Sequence, residues 1–278
     1  MRPEPAQASA AAALIAGADA LLVCAGAGMG VDSGLPDFRG PEGFWRAYPP
    51  YRGLGLRFEE IADPVHFAAD PELAWGFYGH RLALYRRTVP HAGFGVLLKW
   101  AQRWPTRVFT SNVDGQFQCA GFDEEQVAEC HGSIHFLQCM IDCGQPVWPA
   151  DGISVDVDTA TMRAIAPLPS CPSCGALARP NILMFGDMEW IADRAADQMR
   201  AHNTWLRELR AAGKRLAVVE LGAGNALPTV RREAERASAA SGALVRINPR
   251  EPEVRHGRGV PIAAPAEATL LALEEILG

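Results

Sequence analysis

The chain has 278 residues, 49% of them apolar and 21% charged, enough to bury a core of one large domain or of a large and a small one. A formal charge of −6 argues against a broadly basic nucleic-acid surface, and no apolar run approaches the roughly 20 residues of a membrane-spanning helix. Extended disorder is excluded on the same numbers.

In chain order, residues 1–8 carry two prolines and Glu4 and read as a loose tail, and about 9–17 as a short helix. Gly17 and Asp19 interrupt the apolar stretch, so it lacks the clean core of a secretory signal, and a cytoplasmic protein is expected. Residues 19–28, DALLVCAGAG, form an apolar run ending in glycines, the pattern of a buried strand feeding a tight turn. Gly26 and Gly28 have the spacing of a phosphate-cradling loop, but Val31 stands where G-x-G-x-x-G needs its third glycine. A nucleotide loop and a plain turn both remain open on this evidence.

Residues 41–90 are rich in aromatics, prolines and helical pattern, most clearly in ELAWGFYGHRLALYRR (72–87), and a further helix is expected over 93–104. TRVFTSNVDG (106–115) reads as a strand ending at Ser111, Asn112 and Asp114, where Asx residues before glycine are also ordinary turn formers. His131 and His135 lie in ECHGSIHF, where Gly132 makes a regular helix doubtful; alone, each reads as a surface or satisfied core histidine. RPNILMFGD (179–187), RLAVVELGAG (215–224) and GALVRINPRE (242–251) repeat the strand-to-turn shape, with a helix over 229–240. Strands alternating with helices predict an α/β fold with a parallel sheet covered on both faces. Its ligand-bearing positions would be the strand ends at Gly26–Gly30, Ser111–Asp114, Gly222–Asn225 and Asn248.

The seven cysteines are not spaced as a disulfide framework. Cys139 and Cys143 form one close pair, Cys171 and Cys174 another, and two short chelating turns converging on one ion hold tetrahedral zinc. Four thiolates leave no open position, so the ion is expected to be structural. Gly144 and Gly175 directly follow the pairs and suit tight turns.

Taken in order, GAGMGVDSGLPDFRG, TSNVDGQFQCAG, ECHGSIH, the two cysteine pairs, RPNILMFGD, LGAG and RINPRE resemble the sirtuin family, over about residues 18–275. The resemblance is to bacterial NAD-dependent protein deacylases. It implies a Rossmann-like NAD-binding domain from 9–40, 91–134 and 179–278, and a smaller domain of helical and zinc modules from 41–90 and 135–178. It also implies removal of an acyl group from protein lysine, yielding nicotinamide and O-acyl-ADP-ribose.

Site roles follow from the same resemblance. His131 would be the general base, Asn112 would orient a ribose hydroxyl or water, and Asp114 would hold the nicotinamide carboxamide. Ala25, Gly26, Ala27 and Gly28 would meet the diphosphate. Asp37, Phe38 and Arg39 would form a mobile cofactor loop, with Arg39 on phosphate and Phe38 over the ribose. Ser111, Gly222, Ala223 and Asn248 would complete the NAD site, the last three at its adenosine half. Met184, Phe185 and Gly186 would pair with the substrate peptide by strand addition. Tyr78 and Arg81, in Y-x-x-R spacing, match the pair that binds the distal carboxylate of succinyl or malonyl lysine; a packed tyrosine and a solvated arginine are the plain alternative. Gly30, Ser111 and the Ala223–Gly224 pair depart from the family pattern, removing polar contacts to NAD. They leave room for an ADP-ribosyltransferase or NAD hydrolase on the same fold, or for a silent nucleotide sensor. Neither nucleic acid nor membrane is expected as a partner, and the oligomeric state is left open.

Overall fold

The computed structural model describes residues 2–36, 40–256 and 259–278, so Asp37, Phe38 and Arg39 of the expected cofactor loop lie outside the described residues. Helix α1 (Pro5–Ala16) starts at a proline, whose missing N–H is no loss in a first turn. The chain is therefore helical from residue 5, where a loose tail to residue 8 was expected. Strand β1 (Ala20–Ala25) follows. Residues 40–87 then supply α2 (Gly40–Ala47), α3 (Pro49–Gly53), α4 (Phe58–Ile61), α5 (Val65–Ala69) and α6 (Pro71–Arg87). Next come α7 (Ala92–Arg103), β2 (Thr106–Thr110), α8 (Gln116–Cys119) and β3 (Val127–Glu129). The cysteine-bearing region holds β4 (Gly132–Cys139), β5 (Trp148–Pro149), β6 (Val157–Asp158), β7 (Arg163–Ala164) and β8 (Ala178–Ile182). The remainder is α9 (Asp193–Ala211), β9 (Leu216–Leu221), α10 (Thr229–Ser238), β10 (Leu244–Ile247), β11 (Val260–Ile262) and α11 (Ala266–Leu277). No helix of the described residues is long and apolar enough to cross a membrane.

Six strands form one parallel sheet in the order β11-β10-β9-β1-β2-β3. Along β1, Leu21, Val23 and Ala25 enter the core shared with α1, α7 and α11, while Leu22 and Cys24 enter the core beneath α9 and α10. Burial on both faces is why this strand reads as an unbroken apolar run. Strands succeed one another outward from β1 on one side and from β9 on the other. The crevice at the carboxyl ends of β1 and β9 is thus a topological switch point, the place where such sheets take ligands.

A second apolar core lies among α2–α6, β4 and β8. Here β5-β4-β8 make an antiparallel sheet, and β6 and β7 a small hairpin. Asp70 accepts from Leu73 N at the start of α6 and takes both Nη atoms of Arg163 on β7 (2.9 and 2.7 Å), tying helix to hairpin. The run at 179–187, expected to join the parallel sheet, instead supplies β8, paired antiparallel with β4 through Ser133–Asn181 and Gln138–Arg179. Its polar residues explain the difference. Arg179 and Asp187 form a buried ion pair at 2.7 Å, and Asn181 donates to Gln138 Oε1 at 2.9 Å, contacts that a purely apolar parallel core would not provide. The boundaries expected at 134/135 and 178/179 consequently fall inside β4 and β8.

Candidate active site

The loops after β1 and β9 lock together. Gly26 N donates to Leu221 O (2.9 Å) and Gly28 N to Gly222 O (3.0 Å). A Cβ on Gly26 would lie 2.8 Å from Ala223 Cα. One on Gly222, where φ is +60°, would lie 2.4 Å from Gly28 Cα and Met29 N. The close backbone approach that these glycines serve is therefore first of all loop against loop. Ala25 is buried and its carbonyl accepts from Ser111 N and Thr110 Oγ1; Ala27 begins the single turn Ala27–Met29. Asn112 Nδ2 donates to Gly26 O at 3.1 Å. Asn248, fully buried, donates to Ala223 O at 2.8 Å and accepts from Arg250 N and Glu251 N. Both asparagines thus brace the backbone that forms the crevice. A cavity of about 160 Å³ remains there, lined by Gly28, Gly222, Val31, Asp32, Pro249 and Arg250. The last four escaped the sequence reading; their places just past β1 and β10 were the available signal.

Asp114, 9% exposed, lies just beyond β2. Its Oδ1 accepts from Gln116 N (3.0 Å) and its carbonyl from His135 Nε2 (3.0 Å). Burial pushes the carboxyl from 3.8 up to about 6, with the Arg81 charge opposing. Donation to a carbonyl places a proton on His135 Nε2. His135 is therefore a buttress of the Asp114 turn. His131 is half-buried, and burial lowers its pKa below the ordinary 6.5. Cys130 N donates to Thr110 O (2.9 Å), so His131 stands beside the Ser111–Asn112 turn. Its carbonyl accepts from Leu183 N, and among the described residues the ring itself makes no hydrogen bond.

Arg81 is buried, and its hydroxyl partner is Tyr85: Nε and Nη2 donate to Tyr85 Oη at 3.0 and 2.8 Å. Tyr78, expected beside Arg81 at the distal carboxylate of the acyl group, stacks on Phe67, with its ring 5.6 Å from Arg81 Cζ. A spacing of four along one helix brings side chains together as well as a spacing of three, which was the signal for Tyr85. Met184, Phe185 and Gly186 form a turn beyond β8. Met184 N donates to Asp187 Oδ2 and Phe185 N to Ala62 O.

The sulfurs of Cys139, Cys143, Cys171 and Cys174 all lie within 4.8 Å of one another. The Cys139–Cys174 and Cys143–Cys171 separations of 3.6 Å are close to the edge, about 3.8 Å, of a tetrahedron with 2.3 Å metal–sulfur bonds. Gly144 and Gly175 have φ of +86° and +75°, the left-handed conformation that each chelating turn needs. Donor set and spacing fit a structural zinc at the end of β4.

The model of the Sir2 family matches residues 26–207. The chain belongs to the Sir2, or sirtuin, family. The NAD-dependent protein deacylase of Aquifex aeolicus is 32% identical over 168 residues, 60% of this chain and 62% of that protein. The chain thus spans about three fifths of the length of the first relatives it matches. The NAD-dependent protein deacylase 1 of Pseudomonas aeruginosa is 30% identical over 260 residues, 92% of this sirtuin and 94% of that one. Among solved structures, a complex of a Sir2 homolog with NAD matches at a TM-score of 0.71 and 25% identity, covering 96% of this chain and 94% of that chain.

Proposed function

We propose that this sirtuin removes acyl groups from lysine side chains of proteins, consuming NAD and releasing nicotinamide and O-acyl-ADP-ribose. The observation that carries the reading is His131, a half-buried imidazole kept neutral beside Asn112, in a chain of the Sir2 family. NAD supplies a ribose carbon bearing a good leaving group, which the acyl oxygen can displace. The chain supplies the rest. Backbone at Gly26–Gly28 and Gly222–Ala223 would face the diphosphate, beside the cavity that Gly28 and Gly222 line. Asp114, ionised above about pH 6, would accept from the carboxamide NH₂. Asn112 has its Nδ2 committed to Gly26 O, leaving Oδ1 to accept from a ribose hydroxyl. His131, unprotonated at neutral pH, would take the proton of that sugar.

The buried guanidinium of Arg81, among aromatic rings and beside Tyr85 Oη, supports an acyl group ending in a carboxylate, succinyl or malonyl. Four of the seven cysteines gather as a metal-ligating cluster instead of pairing as disulfides, which supports a cytoplasmic setting. The test is incubation with NAD and acetyl- or succinyl-lysine peptides, read by mass spectrometry. Free lysine with O-acyl-ADP-ribose is expected. Free ADP-ribose alone, or mass added to a protein, would point to a hydrolase or transferase. His131→Ala should be inert while retaining parental ADP-ribose affinity.

A further inference from the structure

The face of the parallel sheet under α10 is apolar except for a buried ionic network. Glu220 on β9 and Arg246 on β10 are 0% and 1% exposed. Arg246 grips Glu220 with two bonds of 2.7 Å, lies 3.1 Å from Glu235, and donates its remaining Nη1 to Glu253 O. Arg231 on α10 donates Nη1 to Asn225 Oδ1 and Nη2 to Glu251 O, while its Nε lies 3.7 Å from Glu220. The Glu251 carboxylate in turn accepts from Asn225 N (3.0 Å) and Nδ2 (2.8 Å).

Buried ion pairs add little net stability over apolar residues of the same volume, because desolvation offsets attraction. What distinguishes this network is where its arms end. Arg231 and Arg246 reach the carboxyl edge of the sheet and hold two loops, 222–228 and 248–253. Those loops carry Gly222, Ala223, Asn248 and Arg250, the far wall of the crevice. In the strand order they lie on the β9–β10 side of the switch point, opposite β3 and His131.

We propose that Arg231, acting through Asn225 and Glu251, is a positioning residue for the adenosine half of NAD; this rests on the dinucleotide reading above. Its place on the β9–β10 side of the switch point, across from His131, puts the effect on cofactor affinity and leaves the chemical step alone. Calorimetric titration with ADP-ribose, steady-state kinetics and hydrogen exchange of amides 222–227 test it in Arg231→Met, Arg231→Lys and Glu251→Gln. Arg231→Met should weaken ADP-ribose binding and raise KM for NAD about tenfold, as expected when a binding wall shifts by a fraction of an ångström. Its kcat should stay within about twofold and its peptide KM unchanged, with faster exchange in the loop. Arg231→Lys, which keeps the charge but loses the fork, should recover part of the affinity. Should Arg231→Met fail to fold, Glu251→Gln, changed at a partly exposed side chain, carries the test by the same loss of affinity. Folded variants with parental ADP-ribose affinity, or with reduced kcat at unchanged KM, overturn the positioning role. A parent protein that binds no ADP-ribose overturns the dinucleotide reading beneath it, and the two failures are told apart by that control.

Discussion

Replacing Asp114 by asparagine should make the protein more stable and inactive at once. Burial raises this carboxyl from 3.8 to about 6, so the folded state at neutral pH carries an ionised group that its surroundings disfavour. At 1.36 kcal/mol per pH unit the displacement amounts to about 3 kcal/mol, an order-of-magnitude ceiling that already includes the attraction of Arg81. Asparagine removes the charge and keeps Oδ1 as acceptor for Gln116 N. The sign is fixed by linkage. A carboxyl raised on folding disfavours the native state above about pH 6, where both states are ionised, and disfavours it less as pH falls. Below 3.8 both states are protonated and the disadvantage is gone. Urea denaturation of parent and variant at pH 7.5 and pH 3.5 measures this. The variant should gain up to about 3 kcal/mol at the higher pH and show no gain at the lower. It should also lose NAD-dependent turnover, since the carboxamide would meet an NH₂ where it needs an acceptor. A variant no more stable than the parent at pH 7.5, or one whose advantage persists at pH 3.5, would refute the reasoning.

Gly222→Ala should cost about 1–2 kcal/mol for its positive φ alone, and further for the 2.4 Å overlap with Gly28, and should weaken ADP-ribose binding. Gly224→Ala, whose nearest neighbour would be Glu251 Oε2 at 3.6 Å, should be near neutral; equal behaviour of the two in thermal melts would contradict the loop interlock. Elemental analysis should find a single zinc ion per chain, and Cys171→Ala or chelation should abolish cooperative melting of the β4–β8 region. A protein that keeps its melting profile after full zinc removal would deny the ion a structural role. Arg81→Met should lose desuccinylation while keeping or gaining deacetylation, read on paired peptides; equal loss of both activities would assign Arg81 to packing.

The parallel strands were legible because each is buried on both faces and ends at a glycine-bearing turn. The same signal misled at 179–187: an apolar run before a glycine fits a strand of either sheet, and only the buried Arg179–Asp187 pair and the bond from Asn181 to Gln138 show which. The cysteine site was legible because chelation is local to two short turns. Tyr85 lies one helical turn from Arg81, at a spacing of four, whereas the Y-x-x-R pattern points to Tyr78 at a spacing of three. The bond from His135 to Asp114, 21 residues apart, and the bond from Arg231 to Glu251 O, 20 apart, were not legible, because they join different elements, which no local pattern encodes.

Several polar side chains gather around the crevice loops. Asn112 and Asn248 each donate to the carbonyl of a crevice loop, Arg231 and Arg246 donate to the carbonyls of Glu251 and Glu253, and His135 holds the carbonyl of Asp114. In every case a buried or half-buried side chain is bonded to a backbone oxygen at or near the carboxyl edge. Apolar residues could fill the same volume but could not fix a carbonyl's direction. A crevice built from backbone, with glycines where side chains would otherwise project, has its shape set by where those carbonyls and amides point. These polar residues are therefore explained by the loops they orient, and the crevice geometry is held from beneath.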